Sequence, residues 1–170
     1  MTSDEMTGDP SPRAASPREV RITRVFRAPR GLVFAAWIDP DQIAAWWAPE
    51  ECEIPRDTVQ VDLRVGGRIH FSMVETDSGV VYPVRFEIVA MSEPELLVLA
   101  SDADPEIGLE YPMVTRVAFD VDGDGTRVTV TQGPHTEAME DRAAGGWTGS
   151  LDKLERLLNS RQSATTGRWP

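Results

Sequence analysis

Few residues in this chain have the chemistry for catalysis or metal binding. Histidine occurs twice, at His70 and His135, and cysteine once, at Cys52. His70 alternates with Ile69, Phe71 and Met73, which turns it to the opposite face of a strand, whereas His135 falls in a Gly-Pro-His loop. Neither has a Cys, His or carboxylate at a metal-ligand spacing, so neither a metal site nor a cofactor is expected. Cys52 sits between Glu51 and Glu53, a negative field that raises a thiol's pKa and suits a structural residue, not a nucleophile. GWTGS, from Gly146 to Ser150, is not a G-x-S-x-G elbow, and it lies inside a helical pattern instead of at a strand–helix turn. Acidic side chains are spread so widely that paired carboxylates carry no signal. No residue is assigned a catalytic role.

The glycine pair Gly66-Gly67 invites a phosphate-binding reading. A phosphate cradle needs a crossover from strand to helix with GxGxxG or GxxxxGK[ST] spacing, and this pair is followed by a strand pattern. Between two runs of period two it reads as a two-residue hairpin turn with both glycines at positive φ. Asp62 and Arg64, two residues apart, read as a surface ion pair on one strand face.

The elements that must position these residues follow from periodicity. Val20, Ile22 and Phe26 alternate as in a half-buried strand. Val33, Phe34 and Trp37 mark a first helical face, which ends before Asp39-Pro40 because a residue preceding proline avoids the α region. Asp39 then caps a second short helix, with Pro40 at its first position and Gln42 three residues after the cap. From Cys52 the period becomes two: Val59, Val61 and Leu63; Ile69, Phe71 and Met73; Val80 to Ile88; LLVLA; Met113 to Phe119; and Val128 with Val130. TDSG and DGDG mark turns between them. Met139, Ala143, Gly146, Trp147, Leu151, Leu154 and Leu158 then recur at three- and four-residue spacing, the pattern of a long amphipathic helix. Gly145 and Gly146 within it are expected to serve close packing against the sheet.

The order β-α-α, six strands and a long helix predicts an α+β fold. A curved antiparallel sheet of about seven strands would carry the C-terminal helix across its concave face. Residues 19–160 form the expected domain; residues 1–18 and 161–170, rich in Ser, Pro and Thr, read as flexible tails. With 17 basic and 28 acidic residues the chain carries a net charge of −11, which argues against nucleic acid binding. A lone cysteine, no signal-peptide pattern and no long apolar run point to a cytoplasmic protein with no membrane partner. Trp46, Phe71, Met73, Tyr82, Phe86, Met113 and Trp147 have the parity or phase that points between sheet and helix.

The motifs, taken in order, resemble the START-like superfamily (SRPBCC, the helix-grip fold). The branch they resemble is named after the C-terminal domain of the Aha-type heat-shock ATPase activator. The residues that carry this are Trp37, Asp39-Pro40, Trp46-Trp47, Asp62-x-Arg64-x-Gly66-Gly67, Met73, Pro83-Val84, Glu93-Pro94, Gly125-Thr126 and Gly146-Trp147 with Leu151 and Leu154. The resemblance implies a cavity between the long helix and the sheet that holds a small, largely apolar molecule. Its wall would be the aromatic and Met set above, with Tyr82, Thr115 and Gln132 as polar groups. Gln132 stands where many relatives have His, and Phe86 where a Gly is common, which should narrow the cavity. The superfamily also contains cyclases, dehydratases and hydrolases. Contact with a heat-shock chaperone and a homodimer are the remaining partner expectations.

Overall fold

The structure is a computed structural model describing residues 18–105 and 111–166, with side chains described to residue 163. The expected N-terminal tail lies outside the described residues except for Arg18. That residue opens the first strand, β1 (Arg18–Phe26). Two helices follow, α1 (Arg30–Ile38) and α2 (Pro40–Trp46). Asp39 both ends α1 and caps α2, its Oδ1 accepting from the backbone N–H of Asp41 and of Gln42 at 2.8 and 3.2 Å. That satisfies two of the donors a helix start leaves unpaired.

Strands β2 (Cys52–Glu53) and β3 (Gln60–Val61) are two residues each and flank a 3₁₀ turn at Arg56–Thr58. Then come β4 (Arg68–Glu75), β5 (Val81–Ser92), β6 (Leu96–Ser101), β7 (Met113–Asp122) and β8 (Gly125–His135). The chain closes with α3 (Glu137–Thr166). All pairings are antiparallel, in the order β1-β8-β7-β6-β5-β4-β2, with β3 also on β4. The α+β architecture expected from the pattern is therefore present, with eight strands among the described residues where about seven were expected. α3 also runs past residue 160 to Thr166, so part of the expected C-terminal tail is helical.

The glycine pair departs from the two-residue hairpin. The strand expected over Val59–Leu63 stops at Val61, and Leu63 is 40% exposed in a loop spanning residues 62–67. Only Gly66 takes a positive φ, at +86°. Gly67 is required for a different reason. A Cβ there would lie 2.0 Å from the backbone oxygen of Asp62, because the loop folds back on itself. Both glycines also bond to β5: Gly66 N–H donates to Ile88 O, and Ile88 N–H donates to Gly67 O, each at 2.8 Å. Asp62 and Arg64 form the expected surface pair, with Nε to Oδ2 at 2.9 Å, although in the loop and not on a strand.

The core lies between the inner sheet face and the helices. Trp37 is its hub, fully buried, with the rings of Trp46, Trp47, Phe119 and Trp147 at centroid distances of 4.6 to 6.0 Å. Phe34 meets Phe119 edge-on at 5.1 Å, a geometry that the ring quadrupole favours. Along α3 the residues Leu151, Leu154 and Leu158 seal the C-terminal half of the helix onto this cluster.

Candidate functional site

Toward the N-terminal half of α3 the packing gives way to a cavity of about 540 Å³. Its aromatic wall is made by Trp47 after α2, Phe71 on β4, Phe86 on β5 and Trp147 on α3. Register explains why the sheet residues meet there. Ile69, Phe71 and Met73 pair with Phe86, Val84 and Tyr82, so all six side chains fall on the inner face. Trp47 joins the wall together, stacked on Phe86 at 5.8 Å and tilted against Phe71 at 5.5 Å and Trp147 at 6.2 Å.

Of the nine residues the sequence nominated, seven line this space: Phe71, Met73, Tyr82, Phe86, Met113, Gln132 and Trp147. Trp46 does not. It is fully buried against α1, its Nε1 donating to Ala36 O at 2.8 Å, and the adjacent Trp47 takes the wall position. Helical phase groups Trp46 with Ile43, three residues earlier, and that face packs into the core; Trp47 lies at the helix C-cap, where the phase argument ends. Thr115 is also off the wall. It lies beneath Gln132, whose Nε2 donates to Thr115 Oγ1 at 2.8 Å while Trp147 Nε1 donates to Gln132 Oε1 at 3.1 Å. Gln132 thus serves first to fix the Trp147 ring. Ser150 on α3 is tied down as well, donating to Trp47 O at 2.8 Å.

Several lining residues escaped the sequence reading. Ala143, Gly146 and Ser150 line the cavity from α3, Ser101 lines it from the end of β6, and Asp102 and Asp104 from the segment that follows. That segment has no periodicity to read, so no sequence signal could have placed it. Asp102 and Arg142 are exposed and give the opening a polar border. The expectation for Gly145 and Gly146 is corrected: a Cβ on either would meet nothing within 4 Å, so neither supports close packing. Each still costs the helix about 1 kcal/mol relative to alanine.

The histidines lie apart from the cavity wall. His70 is half-buried on the outer face of β4, opposite Arg85. His135 ends β8 instead of occupying a loop, and it is buried with neither ring nitrogen hydrogen-bonded. Burial holds its pKa below the ordinary value, against the weaker pull of Glu140. Cys52 is half-buried, and desolvation, with Glu75 and Glu51 adding to it, raises its thiol pKa. Among the described residues no three His, Cys, Asp or Glu side chains converge as a metal-binding group. No helix among them is long and apolar enough to cross a membrane.

A sheet gripped by one long helix, with a cavity held between them, defines a helix-grip protein of the START-like class. Residues 27–159 match the family model described as activator of Hsp90 ATPase homolog 1-like protein, and the chain belongs to that family. Solved structures agree on the fold. A Nitrosomonas europaea protein superposes with a TM-score of 0.74 at 20% identity, covering 87% of this chain and 98% of its own. A Chromobacterium violaceum protein gives 0.74 at 25% identity, with 84% and 97% covered. The AHSA1 protein of Silicibacter pomeroyi gives 0.72 at 24% identity, with 85% and 99% covered. No match was found among curated proteins.

Proposed function

We propose that this protein binds a small, largely apolar ligand in the cavity between α3 and the sheet, and that it does so in the cytoplasm. The observation that carries the reading is the aromatic wall of Trp47, Phe71, Phe86 and Trp147 around about 540 Å³ of space. A volume of roughly 300–1,000 Å³ with apolar walls and few polar groups is what drug-sized ligands occupy. Of the inner polar groups, Gln132 and Ser150 already bond to the protein, whereas the buried Ser101 hydroxyl has no partner among the described residues. The body of the ligand therefore meets mainly apolar surface, while its polar groups are met by the Ser101 hydroxyl, by Tyr82 on the wall, or by Asp102 and Arg142 at the exposed border. Native mass spectrometry of gently purified protein tests this, with a co-purifying small molecule as the expected result. No adduct, together with no binding across a lipophilic library, overturns it.

The family description, which names an activator of the Hsp90 ATPase, supports a second reading as a chaperone-contacting module. A change in chaperone ATP turnover on adding this protein would support it, and unchanged turnover with no co-precipitation would remove it.

A further inference from the structure

Gly146 sits where α3 faces the cavity. Arg142, Gly146 and Ser150, four residues apart, stack along one face of the helix, and all three line the space beside Trp147. Nothing in the tertiary packing demands a glycine there, since beyond its chain neighbours and its own helical turn a Cβ would meet no atom within 4 Å. Its φ is not in the left-handed region either, so the backbone makes no demand. Gly145 has the same open surroundings but is exposed and does not line the cavity. The two neighbouring glycines therefore differ in one respect only: the space above Gly146 belongs to the cavity, and the space above Gly145 to solvent.

We propose that Gly146 sets which ligands fit, by keeping open a slot against Trp147 that admits a planar aromatic ring system. This rests on the ligand-binding reading above and names the ligand class for the same site. The wall rings are already fixed. Trp147 is held by Gln132 with one face stacked on Trp37, and Trp47 is stacked between Trp46 and Phe86, so Trp47 offers the cavity a rigid edge and Trp147 its remaining face. A flat, rigid ligand matches such a wall through offset-stacked and edge-on contacts. A flexible acyl chain loses rotational freedom on entering and gains no ring contacts in return. Any side chain at position 146 would project from the helix into the slot the ring needs.

The test is fluorescence titration with N-phenyl-1-naphthylamine on the wild type, Gly146→Ala, Gly146→Leu and Gly145→Ala, with thermal midpoints measured for all four. Wild type binds the probe, and Gly146→Leu weakens binding by about tenfold or more, because misfit of one methylene in an apolar pocket is worth roughly 10–200-fold. Gly146→Ala weakens it less and melts at or above the wild-type temperature. Gly145→Ala raises the midpoint similarly and leaves binding unchanged. Displacement of the bound probe then needs less 9-phenanthrol than 1-dodecanol. Equal binding by wild type and both Gly146 variants overturns the role of Gly146 while leaving the binding reading in place, as does a Gly145→Ala loss matching that of Gly146→Ala. Stronger displacement by dodecanol overturns the ligand class. If Gly146→Leu unfolds, the Gly146→Ala and Gly145→Ala pair decides. No probe binding and no displacement by the wild type would overturn both the inference and the reading beneath it.

Discussion

The two halves of α3 cover the same sheet in opposite ways. From Leu151 onward, Leu151, Leu154 and Leu158 are buried in the same core cluster as Phe34, Trp37 and Phe119. Before Leu151 the helix presents Ala143, Gly146 and Ser150 to a sheet surface lined by Phe71, Phe86 and Met73, and a cavity results. Helix and sheet continue unchanged through both regions, so side-chain volume on α3 separates a sealed core from a pocket. Interiors pack near crystal density wherever the volumes allow it. Here small residues on one helical stretch do not allow it.

The largest test of that contrast compares truncations on either side. Trp37→Ala, at the fully buried hub, should cost about 3–5 kcal/mol in chemical denaturation, because the hole it leaves is enclosed on all sides. Met73→Ala, on the half-buried cavity wall, should cost about 1 kcal/mol or less, because it widens space that is already there. Equal losses would mean that the open half is as tightly packed as the closed one.

Openness around the cavity does not extend to the loop between β3 and β4. Gly67→Ala should destabilise by about 1–3 kcal/mol, since the added methyl would collide with the backbone of Asp62 instead of entering free space. Gly146→Ala, by contrast, should be neutral or stabilising. A Gly67→Ala variant as stable as wild type would show that the loop can open without cost.

The smallest effect concerns His135, a sealed polar group at the α3 end of β8. Its pKa lies below the ordinary histidine value in the folded protein. As pH falls below about 6.5, the unfolded chain takes up a proton before the native state does, so stability declines until the folded pKa is passed. Glu140 on α3 partly offsets this, and Arg18, opposite on β1, is itself paired to Glu140. His135→Leu should remove that component of the pH slope, visible as the difference between the two stability curves from pH 7 to 5. Parallel curves would show that His135 is protonated as easily in the folded state as in the unfolded one.

How far the sequence reached depended on periodicity. Strand alternation placed Phe71, Met73, Tyr82 and Phe86 on one face, and helical spacing found Trp147, because each lies within a regular element. The reading failed where regularity ends. Trp47 lies one residue past α2, the 102–104 segment follows β6 without a repeat, and the loop at Gly66-Gly67 looked like a hairpin because glycine pairs usually make one. Gly146 was legible as a residue but not as a role. A glycine that permits close approach and a glycine that preserves space have the same letter, and only the surroundings tell them apart.

The short strands β2 and β3 have one further consequence. An open antiparallel sheet ends in unpaired backbone donors and acceptors, which invite a strand from another molecule. Here the β4 side is covered by two stubs of two residues each, separated by the 3₁₀ turn, so an incoming chain finds no continuous ladder to extend. At the other end, β1 is bridged to α3 through Arg18 with Glu140 and Arg24 with Asp152. The β4 margin of the sheet is thereby closed to edge-to-edge extension, while along the β1 margin the two ion pairs tie the strand to the helix.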